Sequence, residues 1–392
     1  MYRIFLTAAM ATAALCMSAQ GTAPHVLQSV EAHNTTLQAL RKVNSAEKAA
    51  ARAAVALPDP EAEFAYLWGN PSNIGKRKDF SFTQPLDMGL LTGARRRMAR
   101  EQGLLADSQY GVERTSILLE AEMCYIDLVY YNAMLSMMRT RAQHASELAR
   151  AMERRLDHGD VALPDYRNAQ LDLQSITAEV QRYEAERQAA ADRLTALNGG
   201  QPLAVNDSVY SPYALPATFG EWIARTEAAS PDVRYAQRAL NVSRSNVKLT
   251  RTANMPSPSV GFMGEYIAGQ KQQGISVGLS IPLWSNARRM RQARAEVEAA
   301  EARHDDVRLQ FRLQQQALFE RQAALKRVAD TYSEAVRAAD TEPLLRQSLD
   351  AGNISVAEYL LSTRLYYDAA TRWLDAMREW QQTCAELTAP LL

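Results

Sequence analysis

The sequence predicts a mainly helical chain with a small β part, in which long antiparallel coiled-coil helices occur twice and alternate with four short strands. Three observations carry this reading. Glycine and proline number only 17 and 15 among 392 residues, too few to punctuate a chain of many short elements. Two separated stretches share residues and spacing, the mark of a repeated unit. Apolar residues alternate in four short segments and recur at steps of three and four elsewhere. Forty-four basic residues balance forty-four acidic ones, so no electrostatic argument favours a nucleic-acid partner. No run of roughly 18 or more apolar residues follows the N-terminus, which excludes a spanning helix there and leaves a membrane strand open.

The chain opens with Arg3, an apolar run from Ile4 to Met17, and then Ser18-Ala19-Gln20-Gly21. This reads as a signal peptide over 1–20, with cleavage after Ala19 or Gln20. Cys16 follows Ala14-Leu15 rather than a small residue, which argues against a lipid anchor. The remaining Cys124 and Cys384 fall in helical patterns and are expected to be buried free thiols. His25, His33, His144, His158 and His304 show no metal-ligand spacing with them, so no metal or cofactor is expected.

The repeat sets the organisation: 21–198 as a first unit, 199–229 as an intervening segment interrupted by Gly, Pro and Tyr, and 230–392 as a second unit. Pro58-Asp59-Pro60 with Phe64 recurs as Pro256-Ser257-Pro258 with Phe262, and Pro85-Leu86 as Pro282-Leu283. Ala94-Arg95-Arg96-Arg97-Met98 matches Ala287-Arg288-Arg289-Met290, and Leu156 to Asp160 matches Leu349 to Asn353. Each unit reads helix, two strands, long helix, tight turn, helix. The strands are expected over 61–68, 79–86, 259–267 and 274–283, with Gly269 to Gln273 as a polar connection. In the last strand Ile275, Val277, Leu279 and Ile281 share one face, and Ser276, Gly278 and Ser280 the other. Val260, Phe262, Gly264 and Tyr266 likewise alternate with Ser259, Gly261 and Glu265.

Ser285 to Asp350 holds one proline, Pro343, and no glycine. Met290, Ala293, Val297, Ala300, Val307 and Phe311 step by threes and fours with His304 in the vacant slot, and the pattern resumes at Leu318, Leu325, Val328 and Tyr332 after Gln314. A continuous helix of this extent would be about 100 Å long. Leu105, Val112, Leu119, Ile126 and Ala133 give the first unit its own seven-residue repeat. Gly159 and Gly352 offer permissive backbone where each helix must reverse. Ser355 to Glu358 has capping-box spacing, and Pro164-Asp165 suits a helix start.

Strands of about eight to ten residues are near the length a tilted membrane strand needs. Four of them cannot close a barrel, so a membrane reading demands oligomerisation. The alternation alone also admits a soluble pair of hairpins packed on helices.

The duplicated strand, Pro-Leu end and basic long helix (Ile281-Pro282-Leu283-Trp284 through Arg289), with Ser230-Pro231-Asp232-Val233 and the turns at Gly159–Asp165 and Gly352–Leu360, resemble outer-membrane efflux proteins of the TolC type over essentially the whole mature chain. The resemblance implies a homotrimer whose strands form a twelve-stranded barrel in outer-membrane lipid, continued by a periplasmic helical barrel. It also implies a periplasmic adaptor (membrane fusion) protein and an inner-membrane transporter, of resistance-nodulation-division type, as partners. Phe262, Tyr266, Val277, Leu279 and Ile281 would then face lipid, and Ser276 and Ser280 the lumen. Asp157, Gly159, Asp160 and Asp165, with Asp350, Gly352, Asn353 and Glu358, would form adaptor-docking tips that define the aperture. The first tip carries Pro164 and lacks the usual Gly-Leu pair, which bears on adaptor choice. The expected function is passive conduction within a tripartite efflux system; a type I secretion duct for polypeptides and a non-conducting periplasmic scaffold are the alternatives. Gly274-Ile275-Ser276-Val277-Gly278 formally matches a nucleophile elbow, but its serine sits inside a strand that continues, so no enzyme is expected. Asp305-Asp306 reads as a solvated helix face.

Overall fold

Long helices follow directly from the scarcity of breakers, and the computed structural model, which describes residues 23–69, 75–267, 269–282, 286–339 and 342–392, shows where they stop. In order come α1 (Ala23–His33), α2 (Thr35–Ala53), β1 (Glu61–Trp68), β2 (Lys76–Pro85), the short α3 (Met88–Leu91), α4 (Ala94–Asp157) and α5 (Leu163–Leu197). The second half adds α6 (Phe219–Thr226), α7 (Pro231–Ala253), β3 (Ser257–Ile267), β4 (Gln270–Ser280), α8 (Asn286–Ala338), α9 (Glu342–Asp350) and α10 (Val356–Thr388), closed by a 3₁₀ turn at Ala389–Leu391. The expected signal segment lies outside the described residues.

The chain divides into two compact units. One comprises residues 39–113 and 227–311 and contains an antiparallel sheet in the order β1-β2-β3-β4. The other takes in the described residues of 1–38, 114–226 and 312–392, which are helical apart from the loops between helices. Both draw on both halves of the sequence.

In the helical unit the stretch of α4 from Ala121 to Leu135 is buried nearly all round: Ala121, Ile126, Leu128, Val129 and Met134 are each at most 2 % exposed. That is the signature of a helix surrounded by others rather than one lying on a surface. One of its neighbours is irregular backbone, residues 201–218, and such a segment can be buried only if its polar groups are answered. The answers come from α4. Asn132 Nδ2 donates to the carbonyls of Val205 (3.0 Å) and Asp207 (2.9 Å), and Tyr125 donates to the Asp207 carboxylate at 2.9 Å. Tyr210 donates to the Ile126 carbonyl at 3.1 Å, and Tyr213 to Glu122 Oε1 at 2.7 Å, whose carboxyl burial pushes above its ordinary range. Arg114 grips Glu31 with two hydrogen bonds of 2.7 Å and donates to the Leu392 carbonyl at 2.8 Å, tying α1 and the C-terminus to α4. Cys124 and Cys384 are buried free thiols, pushed up to about 11 and about 12 by burial, so they stay protonated and behave as small apolar fillers.

Two helical expectations need correction. The helix expected to continue through Pro343 instead ends at Ala338 and restarts as α9 at Glu342. Proline lacks the N–H that would continue the ladder and disfavours helical backbone in the residue before it. The apolar seam of α8 keeps the expected Leu318 buried but differs from expectation at two positions. After Phe311 the interrupted slot is filled by buried Gln315 beside the exposed Gln314, and further on Ala329 is buried in place of Val328, which is 44 % exposed. The step of four from 311 to 315 is followed by a step of three to 318, so the seam returns to its expected register there. Gln315 can be buried there because its side-chain oxygen accepts from Trp222 Nε1 at 2.8 Å.

Candidate functional site

Two places gather the predicted site residues, one in each unit. The sheet is the first. Its ladder sets Phe82 opposite Phe262 and Phe262 opposite Ile275, and sets Val260 opposite Val277. Directly opposed residues share a face, so one face carries Phe64, Tyr66, Trp68, Phe80, Phe82, Val260, Phe262, Tyr266, Ile275, Val277 and Leu279. It is exposed in the single chain: Trp68, Ile275 and Val277 are 75 %, 84 % and 77 % exposed. An apolar aromatic face left this bare marks a surface that meets something other than water. The opposite face carries Glu61, Glu63, Asp79, Ser81, Thr83, Glu265, Gln272, Ser276 and Ser280. Arg77 donates to Asp79 and pairs with Glu265, both at 2.8 Å, on this polar side.

Three strands differ from expectation in their bounds. β2 covers Lys76–Pro85, β3 starts at Ser257, and β4 covers Gln270–Ser280. Gln270–Gln273, expected as a connection, pairs with Gly264–Ile267, because ladder bonds use the backbone and a polar side chain does not prevent them. Only Gly269 stays in the turn, at φ 91°. Ile281 lies one residue past β4, and so is a flanking residue rather than a strand residue. Ser276 sits mid-strand opposite Gly261, in a space that a Cβ on residue 261 would take.

The second place is a pair of helix reversals. Gly159 and Gly352 adopt φ 76° and 74°. In the first, Gly159 N–H donates to Leu156 O (3.0 Å) and Asp160 N–H to Arg155 O (2.8 Å); in the second, Gly352 donates to Leu349 O (3.0 Å) and Asn353 to Ser348 O (2.8 Å). This is the same Schellman closure twice. Beneath them one apolar cluster joins Leu148, Met152 and Ala169 to Leu349, Val356 and Tyr359, flanked by Val161, Tyr166 and Ile354. Both turns therefore sit on a common floor. Asp157, Gly159, Asp160, Asp350, Gly352, Asn353 and Glu358 are exposed, and Asp165 is half-buried in the first turn of α5.

Ser355 caps α10 with a reciprocal box: its hydroxyl accepts from Glu358 N–H at 3.2 Å while the Glu358 carboxylate accepts from Ser355 N–H at 2.8 Å. Those bonds hold the Glu358 carboxyl below its usual range. A depressed carboxylate stabilises the fold above its unfolded pKa and loses that contribution as pH falls through the folded one. Amide protection at the start of α10, taken relative to the intrinsic exchange rate, is therefore expected to be high at neutral pH and to fall as acid takes the pH through the depressed carboxyl range; Glu358→Gln should remove that pH response, and an unchanged response would refute the cap.

Sequence reasoning missed the links that hold the two reversals together. Arg346 Nη1 pairs with Glu147 at 2.6 Å, joining α9 to α4. Arg141 lies 3.6 Å from Asp172 and 5.0 Å from the Tyr367 ring centroid. These partners lie on different helices, so no spacing rule connects them.

Against this geometry, residues 79–200 and 222–391 match the family model described as outer membrane efflux protein. The chain belongs to the outer membrane efflux protein family. The fold is shared with solved channels of the same kind. CusC gives a TM-score of 0.77 at 15 % identity over 94 % of this chain and 92 % of that one. OprN gives 0.75 at 19 % identity over 94 % and 89 %, and VceC of Vibrio cholerae 0.71 at 15 % over 94 % and 95 %. A search of curated protein sequences finds none that matches. Membership supports a role as an outer-membrane efflux channel and, with it, association with efflux pump components. Among the described residues no helix is long and apolar enough to cross a membrane, and no group of three or more His, Cys, Asp or Glu is placed to hold a metal ion.

Proposed function

We propose that three copies of this chain close their sheets into one twelve-stranded barrel, which passively conducts small molecules or ions delivered by an inner-membrane transporter through a periplasmic adaptor. The carrying observation is the sheet: apolar on one face, polar on the other, with β1 and β4 as open edges. Open edges are not tolerated in lipid, and copies pairing β4 to β1 would satisfy them. On this reading the face of Phe262, Tyr266, Val277 and Leu279, with Ile281 just past the strand, meets lipid, and that of Ser276 and Ser280 lines the water path. The turns around Asp157, Gly159, Asp160, Asp165, Asp350, Gly352, Asn353 and Glu358 meet the adaptor and bound the aperture.

The polar face carries four carboxylates, Glu61, Glu63, Asp79 and Glu265, against Arg77. Rings of acidic side chains favour cations. Purified protein in planar bilayers is thus expected to give discrete conductance steps with cations preferred, and Glu63→Gln with Asp79→Asn and Glu265→Gln should bring the permeability ratio toward one. Protein that stays a soluble monomer and gives no conductance would refute the pore.

A further inference from the structure

The apolar face of the sheet is not uniformly apolar. At the hairpin end, away from the points where the strands run into helices, the ladder places Tyr66 opposite Lys78, Lys78 opposite Tyr266, and Tyr266 opposite Lys271. One row thus alternates aromatic, lysine, aromatic, lysine across all four strands. The next row outward sets Trp68 opposite Lys76. Lys78 Nζ lies 5.9 Å from the Tyr66 ring centroid, and the Tyr66 and Trp68 rings are 6.2 Å apart. All three lysines are exposed. Among the described strand residues, every carboxylate is on the opposite face.

Two physical facts fix the depth of these residues on the barrel reading, on which this inference rests. Tyrosine and tryptophan concentrate at the membrane–water boundary. A lysine facing lipid costs about 2–4 kcal/mol at mid-bilayer and close to nothing near the interface. Aromatic rings alone would suffice to mark the boundary, so the lysines call for a separate explanation. They make a patch of one sign, with no acid on the same face to answer it. Lys78 and Lys271 are two strands apart, about 10 Å at ladder spacing, a span that one headgroup with two phosphates can bridge.

We propose that the cluster of Lys76, Lys78 and Lys271 on two adjacent rows, framed by Tyr66, Trp68 and Tyr266, binds the phosphate-bearing headgroup of a membrane lipid. The lysines supply charge-assisted hydrogen bonds to phosphate oxygens, and the rings pack on the headgroup and upper acyl chains. The occupant is lipid rather than free anion, because the cations stand on the same face as Phe80, Phe82 and Ile275 and are continuous with it.

The test uses the purified full chain and an equimolar mixture of a bis-phosphorylated acylated glucosamine disaccharide and its dephosphorylated counterpart, with bound lipid counted by native mass spectrometry. The wild type is expected to enrich the phosphorylated lipid at least about tenfold, taking the attraction per lysine at a charged surface as a guide. Lys76→Gln with Lys78→Gln and Lys271→Gln should lose that enrichment, and the matching Lys→Arg variant should keep it. Equal enrichment in wild type and Gln variant overturns the proposal, as does full displacement by excess inorganic phosphate, which would make the cluster a free-anion site. Bilayer conductance of the same preparations separates the two readings. Protein that conducts but does not discriminate overturns the lipid site alone, and protein that discriminates but does not conduct overturns the pore alone.

Discussion

Chains carrying Gly159→Leu together with Gly352→Leu are expected to fold, assemble and reach the outer membrane, yet to export substrate no better than a null strain. Both positions hold left-handed backbone, φ 76° and 74°, so any side chain there costs about 1–2 kcal/mol of strain. That is a small local penalty for a 392-residue chain. A Cβ at either position meets nothing within 4 Å, so the added bulk does not disturb the apolar floor shared by the two turns. It projects outward, where the adaptor is proposed to bind. The double Gly→Ala variant isolates the two effects, since it carries the same backbone strain with little bulk and should retain efflux. Drug or metal accumulation, alongside a heat-modifiable oligomer band, reads both. Normal efflux from assembled Leu variants would remove the docking role of the turns.

The second large effect separates neighbours in one strand. Val277→Lys is expected to abolish recovery of membrane-inserted protein, whereas Ser276→Lys leaves insertion intact and changes conductance. Val277 shares its face with Val260 and Ile275, and Ser276 stands opposite Gly261 on the other face. A lysine at mid-bilayer on the lipid side costs about 2–4 kcal/mol, and the proposed trimer would carry three of them. On the polar side the same group stays hydrated. Equal recovery of the two variants in outer-membrane fractions would show that the faces do not separate lipid from water.

Much of this was legible in the sequence, and the reasons differ by element. The strands and their faces were readable because a period of two assigns every side chain once one is placed; β1 falls where alternation puts it, at Glu61–Trp68. Strand ends were not, because Gln270–Gln273 pair by backbone and leave no apolar trace. The reversals were readable from Gly159, Gly352 and the Ser355–Glu358 box, since left-handed backbone and capping each demand particular residues. The break before Pro343 has only that proline to mark it: the periodic pattern runs past it, but the helix does not. The burial of Gln315 is hidden in the sequence, because a glutamine reads as exposed until Trp222, distant in sequence, is seen to satisfy it. The Arg346–Glu147 pair was hidden for the same reason, having no local spacing to betray it.

The open edges of the sheet bear on genetics as much as on structure. In the proposed trimer β1 and β4 of one copy are satisfied by its neighbours, so a subunit that joins by one sound edge and fails at the other leaves the ring open. Equal expression of an edge-defective allele with the wild type leaves about one trimer in eight entirely wild type. On the proposed assembly, alleles that break one edge are expected to be dominant, whereas those that merely unfold the chain before assembly are expected to be recessive.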